Sequence, residues 1–130
     1  MDTNLKEGYK VKNFKGETKR YVQALSLQDN PELIAAYRRI HSKEGIWPEI
    51  LQGIKDSGIL EMEIYILGTQ LVMIVEMAAD LDWDATMAKM GAGPRQAEWE
   101  EFVAQYQKAA PGQSSDEKWR MMERMFHLYD

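Results

Sequence analysis

Residues 59–77 read Ile59-Leu60-Glu61-Met62-Glu63-Ile64-Tyr65-Ile66-Leu67-Gly68-Thr69-Gln70-Leu71-Val72-Met73-Ile74-Val75-Glu76-Met77, and their pairing decides the fold. In the first half Met62, Ile64 and Ile66 alternate with Glu61, Glu63 and Tyr65, the period of a strand with one buried face. Gly68-Thr69 suits a tight hairpin, because glycine fits the first position of a type II′ turn. Leu71 to Met77 is an almost continuous apolar strand, which implies cover on both faces. Glu76 is its exception. A lone carboxylate in such a run is costly unless paired or hydrogen-bonded, so Glu76 is either a paired structural group or a general base.

Before the hairpin, Arg20 to Leu27 partly alternates and reads as a strand. Asn30-Pro31-Glu32 then starts a helix, with Asn30 as N-cap, Pro31 at the first helical position and Glu32 in the positive first turn. That helix buries Leu33, Tyr37 and Ile40, places His41 at the edge of its apolar stripe, and ends at Gly45. Pro48 opens a second helix, with Trp47, Leu51 and Ile54 inward, and Gly58 stops it. After the hairpin, Asp80-Leu81-Asp82-Trp83-Asp84 caps another helix, and Gly91-Ala92-Gly93 interrupts it. Trp99, Phe102, Val103 and Tyr106 follow at i, i+3, i+4 and i+7, a strong amphipathic pattern. Trp119 to Tyr129 alternates again and reads as the last strand.

The order β-α(α)-β-β-α-β predicts an α+β, ferredoxin-like βαββαβ domain: a four-stranded antiparallel sheet with helices on one face. The other face still carries apolar side chains, and a second copy of the sheet would cover it. A homodimer in the manner of a dimeric α+β barrel is therefore expected. The domain spans residues 19–130, preceded by a polar arm over 1–18 with no clean period.

Bulk properties narrow the function. The 130 residues suit one domain with a real core, and a net charge of −5 argues against nucleic acid as a partner. Residues 1–20 hold six Lys/Arg against three Asp/Glu, so they carry +3 and the remainder −8. No apolar run approaches a membrane span, and residues 1–7 lack the apolar core of a signal peptide. There is no cysteine. These features point to the cytoplasm. Nine methionines read as adaptable core filling.

No phosphate loop, dinucleotide-binding glycine pattern, zinc spacing or nucleophile elbow occurs, so no metal and no cofactor is expected. Acid–base chemistry remains. Tyr37 and His41, four apart on a helix, share a face, and histidine exchanges protons near neutral pH. The plain alternative for His41 is a helix-edge residue bonded to a neighbour. For Trp99 the alternative is core packing, for Glu98 a solvated position, and for His127 a structural place in the last strand.

At these residues the chain resembles the L-rhamnose mutarotase family, small dimeric sugar mutarotases of the ferredoxin-like type. The matching features are Tyr37-x-x-x-His41, Ile46-Trp47-Pro48-Glu49, Ser57-Gly58, Ile64-Tyr65, Met73-x-Val75-Glu76, Trp99 and Met125-Phe126-x-Leu128, over residues 20–129. The resemblance implies an isomerase that interconverts α and β anomers of a 6-deoxy hexose, L-fucose or L-rhamnose, with a monosaccharide as its small-molecule partner. It implies His41 as proton donor, with Tyr37, Met62, Glu98 and Trp99 at the sugar. Met62 stands where the family has a second tyrosine, Glu98 where it has the first of two tryptophans, and the loop from His41 to Trp47 is two residues longer. These departures look like the branch assigned to L-fucose. Glu76, Tyr37, Glu98 or a water could be the second acid/base. A non-catalytic dimeric binding or regulatory module and a small monooxygenase are the competing readings on the same scaffold.

Overall fold

The computed structural model describes residues 5–108, 113 and 115–129. Its elements are β1 (Thr18–Ser26), α1 (Pro31–Ile40), α2 (Pro48–Asp56), β2 (Ile59–Leu67), β3 (Gln70–Ala78), α3 (Trp83–Gly91), α4 (Gln96–Ala104), one turn of α5 (Ser115–Lys118) and β4 (Arg120–Met121). The strands form one antiparallel sheet in the order β2-β3-β1-β4, the ferredoxin-like α+β arrangement.

Local chemistry sets the starts and turns. The Asn30 side chain accepts from the backbone N–H groups of Glu32 and Leu33, and Pro31 begins α1, so two otherwise orphaned donors are satisfied. The hairpin turn is Gly68-Thr69, with Gly68 at φ 61° and Thr69 outside the left-handed region. β1 pairs with β3 in unbroken register from Thr18↔Ala78 to Ser26↔Gln70. On the helix side, Leu25, Leu71, Met73, Val75 and Met77 form the buried centre with Ile50, Tyr37 and Trp99. On the open side lie the half-buried Val22, Val72 and Ile74, and Tyr65, whose ring meets Tyr9 of the N-terminal arm edge-on at 5.7 Å.

Two expectations about extent fail. The last strand does not run from Trp119 to Tyr129: β4 is two residues long, and Met122 N–H donating to Val22 C=O at 2.7 Å is its last tie to the sheet. Residues 123–129 keep the alternating pattern but have no partner strand among the described residues. A strand needs a hydrogen-bonding neighbour, and alternation alone does not supply one. Gly45 likewise does not end α1, whose C-cap is His41.

Gly45 has a different task. A Cβ there would sit 2.1 Å from the Arg39 carbonyl oxygen and 2.9 Å from Ile40 Cα, so only glycine lets the loop fold back on the end of α1. Gly45→Ala should lower stability by about 1–3 kcal/mol, because backbone must shift to admit the methyl. Gly53, inside α2 with open space around it, should gain about 0.5–1 kcal/mol as alanine. Urea unfolding of the two variants checks both signs.

Candidate active site

α1 delivers Tyr37 and His41 into a cavity of about 650 Å³ between the helices and the inner face of β2 and β3. That size lies in the usual range for small-molecule sites, roughly 300–1,000 Å³. At the C-cap His41 leaves the helical path, and its backbone N–H reaches Arg38 and Arg39 carbonyls. Its ring Nδ1 lies 2.9 Å from the Tyr37 carbonyl oxygen. A carbonyl only accepts, so Nδ1 carries the proton and Nε2 keeps its lone pair. Burial holds the His41 pKa below its ordinary value of 6.5, opposed by that backbone bond, so the ring is neutral at neutral pH.

Aromatic groups fix the ring. The Tyr37 ring lies 4.2 Å from the imidazole and Trp99 meets it edge-on at 5.4 Å. Trp99 in turn packs edge-on against Trp47 at 5.0 Å, and Trp47 stacks on Phe102. Arg95 lies over the Trp47 ring at 4.1 Å. Burial pushes the Tyr37 phenol up to about 12, partly offset by the Gln107 amide, so the hydroxyl keeps its proton.

Of the residues singled out from sequence, His41, Tyr37, Met62 and Trp99 line this cavity together. Glu76 and Glu98 do not. Glu76 faces the open side of the sheet, opposite Arg20 in the β1–β3 register, and accepts from its guanidinium at 2.6 Å. Glu98 is exposed and bound by Arg95 at 2.9 Å, which holds its carboxyl below the usual range. Both carboxylates are taken up by arginines away from the cavity. His127 sits in the exposed tail.

Several cavity residues escaped the sequence reading. Glu61 borders the cavity beside a bulge between Ile59 and Glu61, although its register partner is Glu76. Glu100 lines it from α4 and accepts from the Gln96 amide at 3.2 Å. Gln23 and Gln107, 2% and 4% exposed, are buried beside it. Each has a carbonyl oxygen with no hydrogen-bond partner among the described residues. Gln23 was legible: it takes an inward position in the alternation Tyr21-x-Gln23-x-Leu25. Gln107, beyond the end of α4, had no such signal. Among the described residues no group of three or more His, Asp or Glu side chains converges as a metal site. No helix among them is long and apolar enough to cross a membrane.

Residues 20–128 match the family described as L-rhamnose mutarotase. The chain is 38% identical over 109 residues to a protein named L-fucose mutarotase from Xanthomonas campestris pv. campestris, covering 84% of this chain and 87% of that one. It is 32% identical over 114 residues to a UPF0734 protein of Dictyostelium discoideum, covering 85% and 90%. In structure it resembles the crystal structure of an L-rhamnose mutarotase from Formosa agariphila, with a TM-score of 0.63 at 22% identity, over 85% of this chain and 99% of that one.

Proposed function

The chain belongs to the L-rhamnose mutarotase family, and from that footing we propose that its cavity binds a 6-deoxy hexose and that His41 moves the proton that interconverts the anomers. The protein is a sugar isomerase of the mutarotase type. The observation that carries the site assignment is a half-buried, neutral imidazole whose Nε2 has no hydrogen-bond partner among the described residues, beside a cavity lined by Tyr37 and Trp99.

Mutarotation passes through the open-chain aldehyde. The anomeric O1–H loses its proton, the C1–O5 bond breaks, and O5 gains a proton. Closure on the other face reverses each transfer. In opening, His41 Nε2 takes the O1 proton and the imidazolium delivers it to O5 as the C1–O5 bond breaks. In closing, Nε2 takes the O5 proton as O5 adds to C1 and hands it to the carbonyl oxygen, which leaves the imidazole neutral again. A neutral ring suits this role, because the base form must be present at working pH. Tyr37, kept protonated by burial, donates a hydrogen bond to O5 as negative charge grows there. Trp99 and Met62 offer apolar surface to the sugar ring and its C6 methyl.

L-Fucose is the proposed sugar. The 38% relative carries that name, and Met62 stands where the rhamnose-type pattern has a tyrosine. The two sugars differ in hydroxyl orientation, and a mispaired buried hydroxyl costs about 1–3 kcal/mol, so exchange should be about ten- to a hundredfold faster on L-fucose. Exchange rates measured at equal concentrations of the two sugars test this. Equal rates or a rhamnose preference would reject L-fucose and leave the mutarotase assignment in place.

We also propose that the protein works as a homodimer. The open sheet face bears Val22, Val72 and Ile74, and the segment after β4 exposes Met125, Phe126, Leu128 and Tyr129. One chain leaves these groups in water, and burying them is favourable. Sedimentation at micromolar concentration should show a dimer, and a stable monomer would remove this part of the proposal.

A further inference from the structure

Two amide side chains at the cavity hold hydrogen-bonding capacity that the rest of the chain does not use. Gln23, 2% exposed, lies on β1 in a row across the sheet with Met73 of β3 and Ile64 of β2. All three line the cavity, and Gln23 is the one polar side chain among them. Its Nε2 donates to the Trp119 carbonyl oxygen at 3.3 Å. A carbonyl only accepts, so this bond fixes which end of the amide is nitrogen. Oε1 is left buried with no hydrogen-bond partner among the described residues.

Gln107 has the same arrangement. It follows α4, is 4% exposed, and is held in place by a backbone bridge to Leu27, just past the end of β1. It lines the same cavity, and its side chain is bonded to the Tyr37 hydroxyl. Its Oε1 has no partner among the described residues, so the amide N–H makes that bond and donates to the phenol oxygen. The Tyr37 proton is then free to point at O5.

A buried carbonyl oxygen without a donor is costly, and folded chains pair nearly all of theirs. Methionine has the length of glutamine and already stands beside Gln23 as Met73, so an apolar side chain of that shape suits this wall. Two unpaired acceptors on one cavity therefore point to donors that arrive with the ligand. A few placed polar groups in a largely apolar site are also what orients a small molecule. In a 6-deoxy hexose O1 and O5 are engaged by His41 and Tyr37, which leaves the hydroxyls at C2, C3 and C4.

We infer that Gln23 and Gln107 read the sugar's hydroxyls, each Oε1 accepting a hydrogen bond from a different one of those at C2, C3 and C4. The inference rests on the mutarotase reading of the cavity and gives its sugar preference a cause. L-Fucose and L-rhamnose have opposite configurations at C2 and C4 and the same configuration at C3. Two acceptors on two different positions must include C2 or C4. At least one therefore meets a hydroxyl that points to the other face of the ring in L-rhamnose. Each amide is tied at its nitrogen end, so it cannot swing to follow.

The test compares L-fucose with its 2-deoxy, 3-deoxy and 4-deoxy analogues, with exchange read above the rate in buffer. Wild-type protein should lose about ten- to a hundredfold in kcat/KM on two of the three analogues, each of which leaves one buried oxygen unpaired. Gln23→Met should lose a similar factor on L-fucose and lose nothing more on one of those two analogues. Gln107→Met should do the same with the other. Gln107→Met also disturbs Tyr37, but that effect falls on all four sugars alike, so the ratio between sugars isolates the hydroxyl contact. If wild type exchanges L-fucose and all three analogues equally, the inference fails while the mutarotase reading stands. That comparison needs no substitution, so it holds whether or not the variants fold. Variants that slow all four sugars by one factor would show a structural role, with the oxygens held by water, and would also overturn it. If wild type speeds exchange of none of the sugars, the mutarotase reading falls and takes the inference with it.

Discussion

His41→Gln should slow anomer exchange by about 10²–10⁴-fold, the usual contribution of a positioned proton-transfer group, with unfolding little changed. The small stability effect follows from position: His41 is the C-cap of α1, half-buried, and its backbone bonds to Arg38 and Arg39 do not involve the side chain. His127→Gln should leave exchange near the wild-type rate, since His127 lies in the exposed segment beyond β4. The pH dependence gives an independent check. Burial lowers the His41 pKa, and the neutral ring is the active form. The acid limb of exchange should therefore centre below pH 6.5, with the rate falling there as the ring protonates. An acid limb centred above 6.5, or one unchanged in His41→Gln, would assign the limb to another group.

Trp99→Ala should have the second large effect, and on two quantities. Trp99 is 7% exposed and meets His41, Trp47 and Phe102. Truncating a buried aromatic of this kind lowers stability by about 3–5 kcal/mol, through lost transfer energy and the cavity left behind. A substantial part of a single domain's stability of roughly 5–15 kcal/mol would go. The same change frees the imidazole on its Trp99 side, so exchange should fall in the protein that stays folded. Trp99→Phe keeps an apolar ring in the cluster and should recover much of the stability and less of the rate. Urea midpoints with exchange rates at low denaturant separate the two effects. A variant as stable as wild type would show that the cluster contributes little to the core.

The legible parts of the fold were those whose causes are local. Asn30-Pro31 places a cap and a helix start within three residues, and Gly68-Thr69 joins two strands by turn chemistry alone. The length of the last strand was not legible, because residues 123–129 carry strand alternation without a strand beside them among the described residues. For the site, the Tyr37–His41 pair came from helical spacing and held together in one cavity. Between the two readings of Glu76, paired structural carboxylate or general base, the sequence could not choose, because its partner Arg20 is 56 positions away and is revealed only by the β1–β3 register. Glu98 was more accessible: Arg95 lies three residues before it, the spacing of helix neighbours. The bulge between Ile59 and Glu61 was not legible, because the period of β2 does not show where an extra residue enters its pairing with β3.

The central claim is that the cavity holding His41 exchanges the anomers of a 6-deoxy hexose. Saturation-transfer NMR reads that process directly, by irradiating one anomeric proton of L-fucose and following the other. With catalytic amounts of the wild-type protein at pH 7, the account predicts saturation transfer well above the rate in buffer, reduced to near that rate by His41→Gln. Sugar that binds in the cavity while its anomers exchange no faster than in buffer would contradict it.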